Sequence, residues 1–201
     1  MLTVIAAIAL QLLLPARLTI GPRWALPALE GIMLVGLVIV SPQRVIGSEH
    51  VPSRRISLAL AALVSVANTG SLALLTHYLL HHRVTNGREL VVSGTLIWLT
   101  NVLIFSLWYW EVDRGGPGRR AAGRDGSPDF LFPQMTDAAR WNPGWRPTFL
   151  DYAYVSMTNA TAFSPTDTMP LSVAAKSVMG LQSLVSLVTI GLIVSRAVNI
   201  L

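Results

Sequence analysis

The chain has 201 residues, 52% of them hydrophobic and only 12% charged, with a mean hydropathy of +0.55; this excludes an ordinary soluble domain or a disordered chain and indicates an all-α integral membrane protein. The net charge of +5 does not point to nucleic acid, because the basic residues gather between apolar runs, where they mark the edges of a lipid bilayer. With no cysteine, disulfides and thiolate metal sites are excluded too. Lys176 is the single lysine against 14 arginines, a bias that fits a GC-rich coding sequence and a multi-pass protein of a bacterial plasma (inner) membrane.

A helix needs about 20 mostly apolar residues to cross a bilayer core of about 30 Å. The first apolar stretch, Met1 to Leu14, ends at Pro15 and Arg17. It lacks the basic start and the small-residue cleavage site of a signal peptide, so a retained span reaching Ile20 is expected. Three more runs follow at Ala25 to Val40, Ile56 to Leu80 and Leu90 to Trp110, and the longest closes the chain at Val173 to Leu201. The expectation is five membrane helices. Residues 1–80 form an amino-terminal group, and residues 90–201 form a second module.

Most connections are short and carry the glycine, proline and charge that end helices: "GPRW" at 21–24, "SPQRVIGSEHVPSRR" at 41–55 and "HHRVTNGRE" at 81–89. Glu111 to Pro147 differs. It is a 37-residue segment with "DRGGPGRRAAGRDGSPD" near its start and "WNPGWRP" at its end, a composition that reads as exposed and partly flexible. Trp108, Tyr109 and Trp110 before it, with Trp141 and Trp145 inside it, suit headgroup depth. The segment is therefore expected to leave and rejoin one membrane face.

After it comes "PTFLDYAYVSMTNATAFSPTDTMPLS". Thr148 is placed to cap a helix, with Asp151 in its first turn. The helix runs to about Thr161, some 13 residues or roughly 20 Å, which is too short to cross. The final run begins only near Ser172, so the chain either lies on the surface or dips in and returns. Non-helical backbone at membrane depth requires a protein or water-filled surround.

The order of span, outer loop, short helix, polar segment with an aspartate and long last helix resembles the pore module of tetrameric potassium channels. "NATAFSPTD" lies without a gap on that family's "TATTVGYGD" pattern: Ala160 and Thr161 match its alanine and threonine, Asp167 its closing aspartate, and Pro170 a proline that commonly follows. Tyr152, Tyr154, Ser156 and Thr158 resemble its pore helix. The resemblance covers about residues 90–201 and implies a span at 90–110, an external loop at 111–147, a pore helix at 148–161 (with Thr148, Asp151 and Thr158), a filter-like loop at 162–170 and a last span at 173–201. It also implies a homo-tetramer in the lipid bilayer, with a monovalent cation as permeant ion and no other cofactor. The three leading spans have no counterpart in the two-span module and carry no arginine-rich repeat of a voltage sensor.

The departures from that pattern predict a changed filter. Backbone carbonyls replace the hydration shell of potassium in such channels, and glycines allow the backbone they need. Here Ser164 and Thr166 stand at the two glycine positions, and Pro165, which fixes φ and restrains its predecessor, replaces the aromatic. Thr161, Ala162, Phe163, Ser164, Pro165, Thr166 and Asp167 are then expected to line a wider, hydroxyl-rich mouth of weak cation selectivity. The alternative is a non-conducting scaffold or accessory subunit that keeps the channel fold.

Other polar positions have two readings each. Glu30 is an acid inside a span, or a carboxylate kept wet beside Arg23. His77 and His81 share a helix face, next to His82, but without a third ligand they are interfacial histidines rather than a metal site. Asn68, Asn101, Gln182 and Ser186 either line a pathway or hydrogen-bond between helices. Gly180 and Gly191 suit a hinge or close helix packing, and Arg196 and Asn199 suit the interface. Glu111, Asp113, Asp129 and Asp137 fit no catalytic spacing, so no enzyme is expected. A channel-like topology would place Arg44, Arg54, Arg55 and six arginines of the long loop outside, against the positive-inside tendency.

Overall fold

A computed structural model describes residues 2–22, 24–40, 51–81, 87–124, 126–137, 144–161 and 168–198. Its helices are α1 (Leu2–Leu13), α2 (Ala25–Val40), α3 (Val51–His81), α4 (Gly87–Val112), the short α5 (Pro117–Ala121) and α6 (Pro133–Thr136), α7 (Phe149–Ala160) and α8 (Val173–Val198). Two-residue strands β1 (Phe130–Leu131) and β2 (Met169–Pro170) pair antiparallel. The fold is all-α apart from that pair. Among the described residues, three helical stretches, Arg54–His81, Gly87–Gly115 and Val173–Ser195, are long and apolar enough to cross a membrane.

The amino-terminal segment departs from expectation. Its helix stops at Leu13, because Pro15 disfavours helical backbone at Leu14, and the chain turns through a short 3₁₀ segment at Ala16–Leu18. Twelve residues give about 18 Å, short of a full span, and the helix does not reach Ile20; α2 covers the run expected at Ala25–Val40, about 24 Å.

α4 is the central post, packed against α1, α3, α7 and α8. Apolar clusters hold it on both sides. Leu14, Leu18, Leu72, Leu75, Leu90, Ile97 and Val185 form one, and Val4, Ala7, Leu60, Val64 and Ile104 another. Burial of such side chains contributes about 1.5–3 kcal/mol each in water; between lipid-facing helices, close packing and interhelical hydrogen bonds take over. α4 and α8 approach closely at Gly94, where an added Cβ would lie 2.5 Å from Ile193. Gly180 and Gly191, expected as hinge or packing positions, have open space at their Cβ sites.

The long connection is a further correction. Asp113, Arg120, Phe130 and Phe132 are buried, so this segment caps the bundle instead of lying loose on it. α4 ends as Arg114, Gly115 and Gly116 take positive φ values of 53°, 79° and 104°. Arg114 accepts this left-handed backbone, costly for a residue with a Cβ, because its amide donates to Asp129 Oδ2 at 2.7 Å.

Candidate functional site: a short helix held between two long ones

α7 begins where α4 ends. Thr148 caps it: its N–H and its hydroxyl both donate to Asp151 Oδ2 at 2.7 Å, satisfying groups that a helix start leaves open. One turn on, the fully buried Tyr152 hydroxyl donates to Asp113 Oδ2 at 2.6 Å. The other end of α7 lies much deeper. Trp98, near the middle of α4, donates from Nε1 to Ala160 O at 3.2 Å. From Asp113 back to Trp98 is about 22 Å along a helix, and the 12 residues of α7 cover about 18 Å of it.

Beyond α7 the chain returns to its starting level. Leu171 N–H donates to Asp129 O at 2.8 Å, and β2 pairs with β1. Phe130 of β1 rests on Tyr109 and Tyr152, with ring centroids 5.2 and 6.2 Å apart. The segment from Phe149 to Leu171 therefore enters and leaves at one end of the bundle, with Ala160 halfway down it. Of the residues expected to line a filter, Thr161 is described, its hydroxyl donating to Thr158 O at 2.9 Å. Ala162, Phe163, Ser164, Pro165, Thr166 and Asp167 lie outside the described residues. Thr158, expected in a pore helix, bonds back to its own helix at Tyr154 O and Val155 O.

A buried polar network fixes α7 between α4 and α8. Tyr109 donates its hydroxyl to Gln182 Oε1. Gln182 Nε2 donates to Ser156 O at 2.9 Å and Ser156 Oγ at 2.7 Å, and Ser156 Oγ donates to Val102 O at 2.7 Å. Asn159 Nδ2 faces Gln182 Oε1 at 2.9 Å, Met179 O at 3.0 Å and Tyr109 Oη at 3.1 Å, while Ser183 Oγ donates to Asn159 Oδ1. Lower down, Asn101 Nδ2 donates to Ser186 Oγ at 2.7 Å. The side-chain polar atoms of Tyr109, Ser156, Asn159 and Gln182 all have partners, which is what makes a buried polar cluster stabilising instead of costly. Gln182 and Ser186, two intramembrane polar positions of the sequence reading, thus tie helices together. Asn159 and Tyr109 at its centre were not singled out as site residues, because neither has a spacing signature.

The outer end is held by charge. Asp113 Oδ1 accepts the N–H groups of Asp129 and Phe130 at 2.9 and 3.3 Å, and Arg120 donates to Asp113 O at 2.5 Å. The Arg120 guanidinium sits 4.3 Å above the Trp110 ring, a cation–π contact. Burial lowers its proton affinity, and Tyr152, Asp113 and Glu111 work in the opposite direction. Ser57 Oγ donates to Glu111 Oε1 at 2.8 Å, tying α3 to this end.

Two other sequence candidates lie elsewhere. His77 and His81 stack at 4.2 Å, with His81 Nδ1 2.9 Å from His77 O; no group of three or more metal-ligating side chains occurs among the described residues. Glu30 is fully buried between α1, α2 and α3. Neither a protein-family model, a characterised protein nor a solved structure matches the chain.

Proposed function

We propose that this is a multi-pass membrane protein whose second half is a pore-type module with the architecture of potassium channels and a non-standard filter. The observation that carries the reading is the course of α7: it enters beside the end of α4, stops about halfway along it, and the chain returns to the same end at Met169. A membrane would accept such a path only where protein or water surrounds the returning backbone. The fully satisfied Tyr109–Ser156–Asn159–Gln182 network supports it, since a re-entrant helix needs fixed walls.

Assembly as a homo-tetramer completes the proposal. Along α8, Val173, Ser177, Gly180, Leu184, Leu187, Gly191 and Val194 are exposed and recur at alternating steps of four and three, the spacing of a helix–helix seam. The open Cβ sites of Gly180 and Gly191 lie on that seam and would let a neighbouring subunit approach closely. Thr161 and the hydroxyl-rich segment to Asp167 would then face the shared axis, and monovalent cations would pass with little selectivity.

Ion flux into liposomes tests this. Wild-type protein should admit both sodium and potassium, Asp167→Asn should reduce the flux, and a non-associating variant such as Leu187→Arg should abolish it. No flux from wild-type protein, and none gained by Ser164→Gly, would leave a non-conducting scaffold. Monomers by native mass determination would remove the shared path.

A further inference from the structure

The interface of α1, α2 and α3 contains a polar group with no use in the packing. Glu30 is wholly buried, and neither carboxylate oxygen has a hydrogen-bond partner. Gln11 lies beside it, itself buried, with its Nε2 unpartnered; Asn68 is buried with its Oδ1 unpartnered. Helical phase puts the three in one seam. Gln11 falls between Ala7 and Leu14 on one face of α1, and Asn68 between Val64 and Leu72 on one face of α3. Ala7 and Val64 belong to one apolar cluster, and Leu14 and Leu72 to the next, so the intervening Gln11 and Asn68 lie between the same two layers. Met33, one turn from Glu30 and on its face, packs against the Ala7–Val64 cluster.

These unsatisfied atoms form a set that is short of one hydrogen. An ionised Glu30 offers only acceptors, Asn68 Oδ1 is another, and the Gln11 amide supplies the single donor group. One added proton closes the chain: Gln11 N–H donates to one Glu30 oxygen, and the new O–H donates to Asn68. We infer that the Gln11–Glu30–Asn68 seam is a proton-binding site, in which Glu30 is held as a neutral acid. A metal cation fits less well, because only three of the seam's side-chain oxygens are unpartnered, fewer than a hard cation such as calcium takes. No other ionisable group competes. α1 has none, α2 has only Glu30, and α3 has none between Arg55 and His77; Arg54 is engaged by Glu111 and Arg17 by Glu89.

The site is independent of whether the second module conducts. Carbon-13 NMR of detergent-solubilised protein labelled at its glutamate carboxyls reads it directly. Of Glu30, Glu49, Glu89 and Glu111, one resonance should keep the acid position at neutral pH in wild-type protein and be missing from Glu30→Gln. Thermal unfolding gives a second readout. A proton bound when folded and released on unfolding makes stability fall as pH rises, so wild-type protein should lose melting temperature on the alkaline side relative to Glu30→Gln, which mimics the neutral acid. Four ionised glutamates in wild-type protein at neutral pH would overturn the inference, even if the variant failed to fold. So would displacement of the Glu30 resonance on exchanging choline for sodium at fixed pH, which would identify a cation site.

Discussion

Two buried polar clusters of the molecule treat their groups in opposite ways. Between α4, α7 and α8, Tyr109, Ser156, Asn159 and Gln182 pair off completely; between α1, α2 and α3, Gln11, Glu30 and Asn68 do not. A satisfied cluster fixes one arrangement of helices, whereas an unsatisfied one is stable only with something added. The first region is accordingly built as a rigid cradle for a short helix. The second is built to take up a ligand as small as a proton.

The difference can be broken most sharply at Gln182. Gln182→Leu would leave the Tyr109 O–H without its acceptor and take one partner each from Ser156 and Asn159, which keep Val102 O and Met179 O; an unsatisfied buried group costs about 1–3 kcal/mol. A loss of about 3 kcal/mol is expected in thermal or denaturant unfolding in detergent, against little or none for Glu30→Gln at neutral pH. Next is Gly94→Ala, whose new methyl meets the Ile193 side chain where α4 and α8 pack closely. Overpacking there should cost about 1–2 kcal/mol without altering the pH dependence assigned to Glu30. The smallest effect is expected from Asp151→Ala. It removes the acceptor of the Thr148 N–H and hydroxyl, worth about 1 kcal/mol as a cap, and should show as faster hydrogen exchange in the first turn of α7.

Much of the helical framework was legible in the sequence because apolar length and end signals are local. The limits of α7 follow from Thr148, Asp151 and the polar run after Ala160. The long loop was misread because its glycines and arginines are typical of exposed chain. What buries it is Asp113, whose carboxylate gathers the amides of Asp129 and Phe130 and the hydroxyl of Tyr152, 16 to 39 residues away. The cradle was legible only in fragments: Asn101, Gln182 and Ser186 stand out as polar residues in apolar runs, but their partners come from other elements. Gly180 and Gly191 were singled out and Gly94 was not, since periodicity does not say which helix a face will meet.

The central claim is that the segment from α7 to α8 enters and leaves on one side. The absence of native cysteine makes it directly testable with single cysteines at Leu150 and Leu171 in sealed proteoliposomes of uniform orientation. An impermeant thiol reagent should label both positions from the same side, and neither from the other. Labelling of Leu150 and Leu171 from opposite sides would mean that the chain crosses between them, and would contradict the re-entrant architecture.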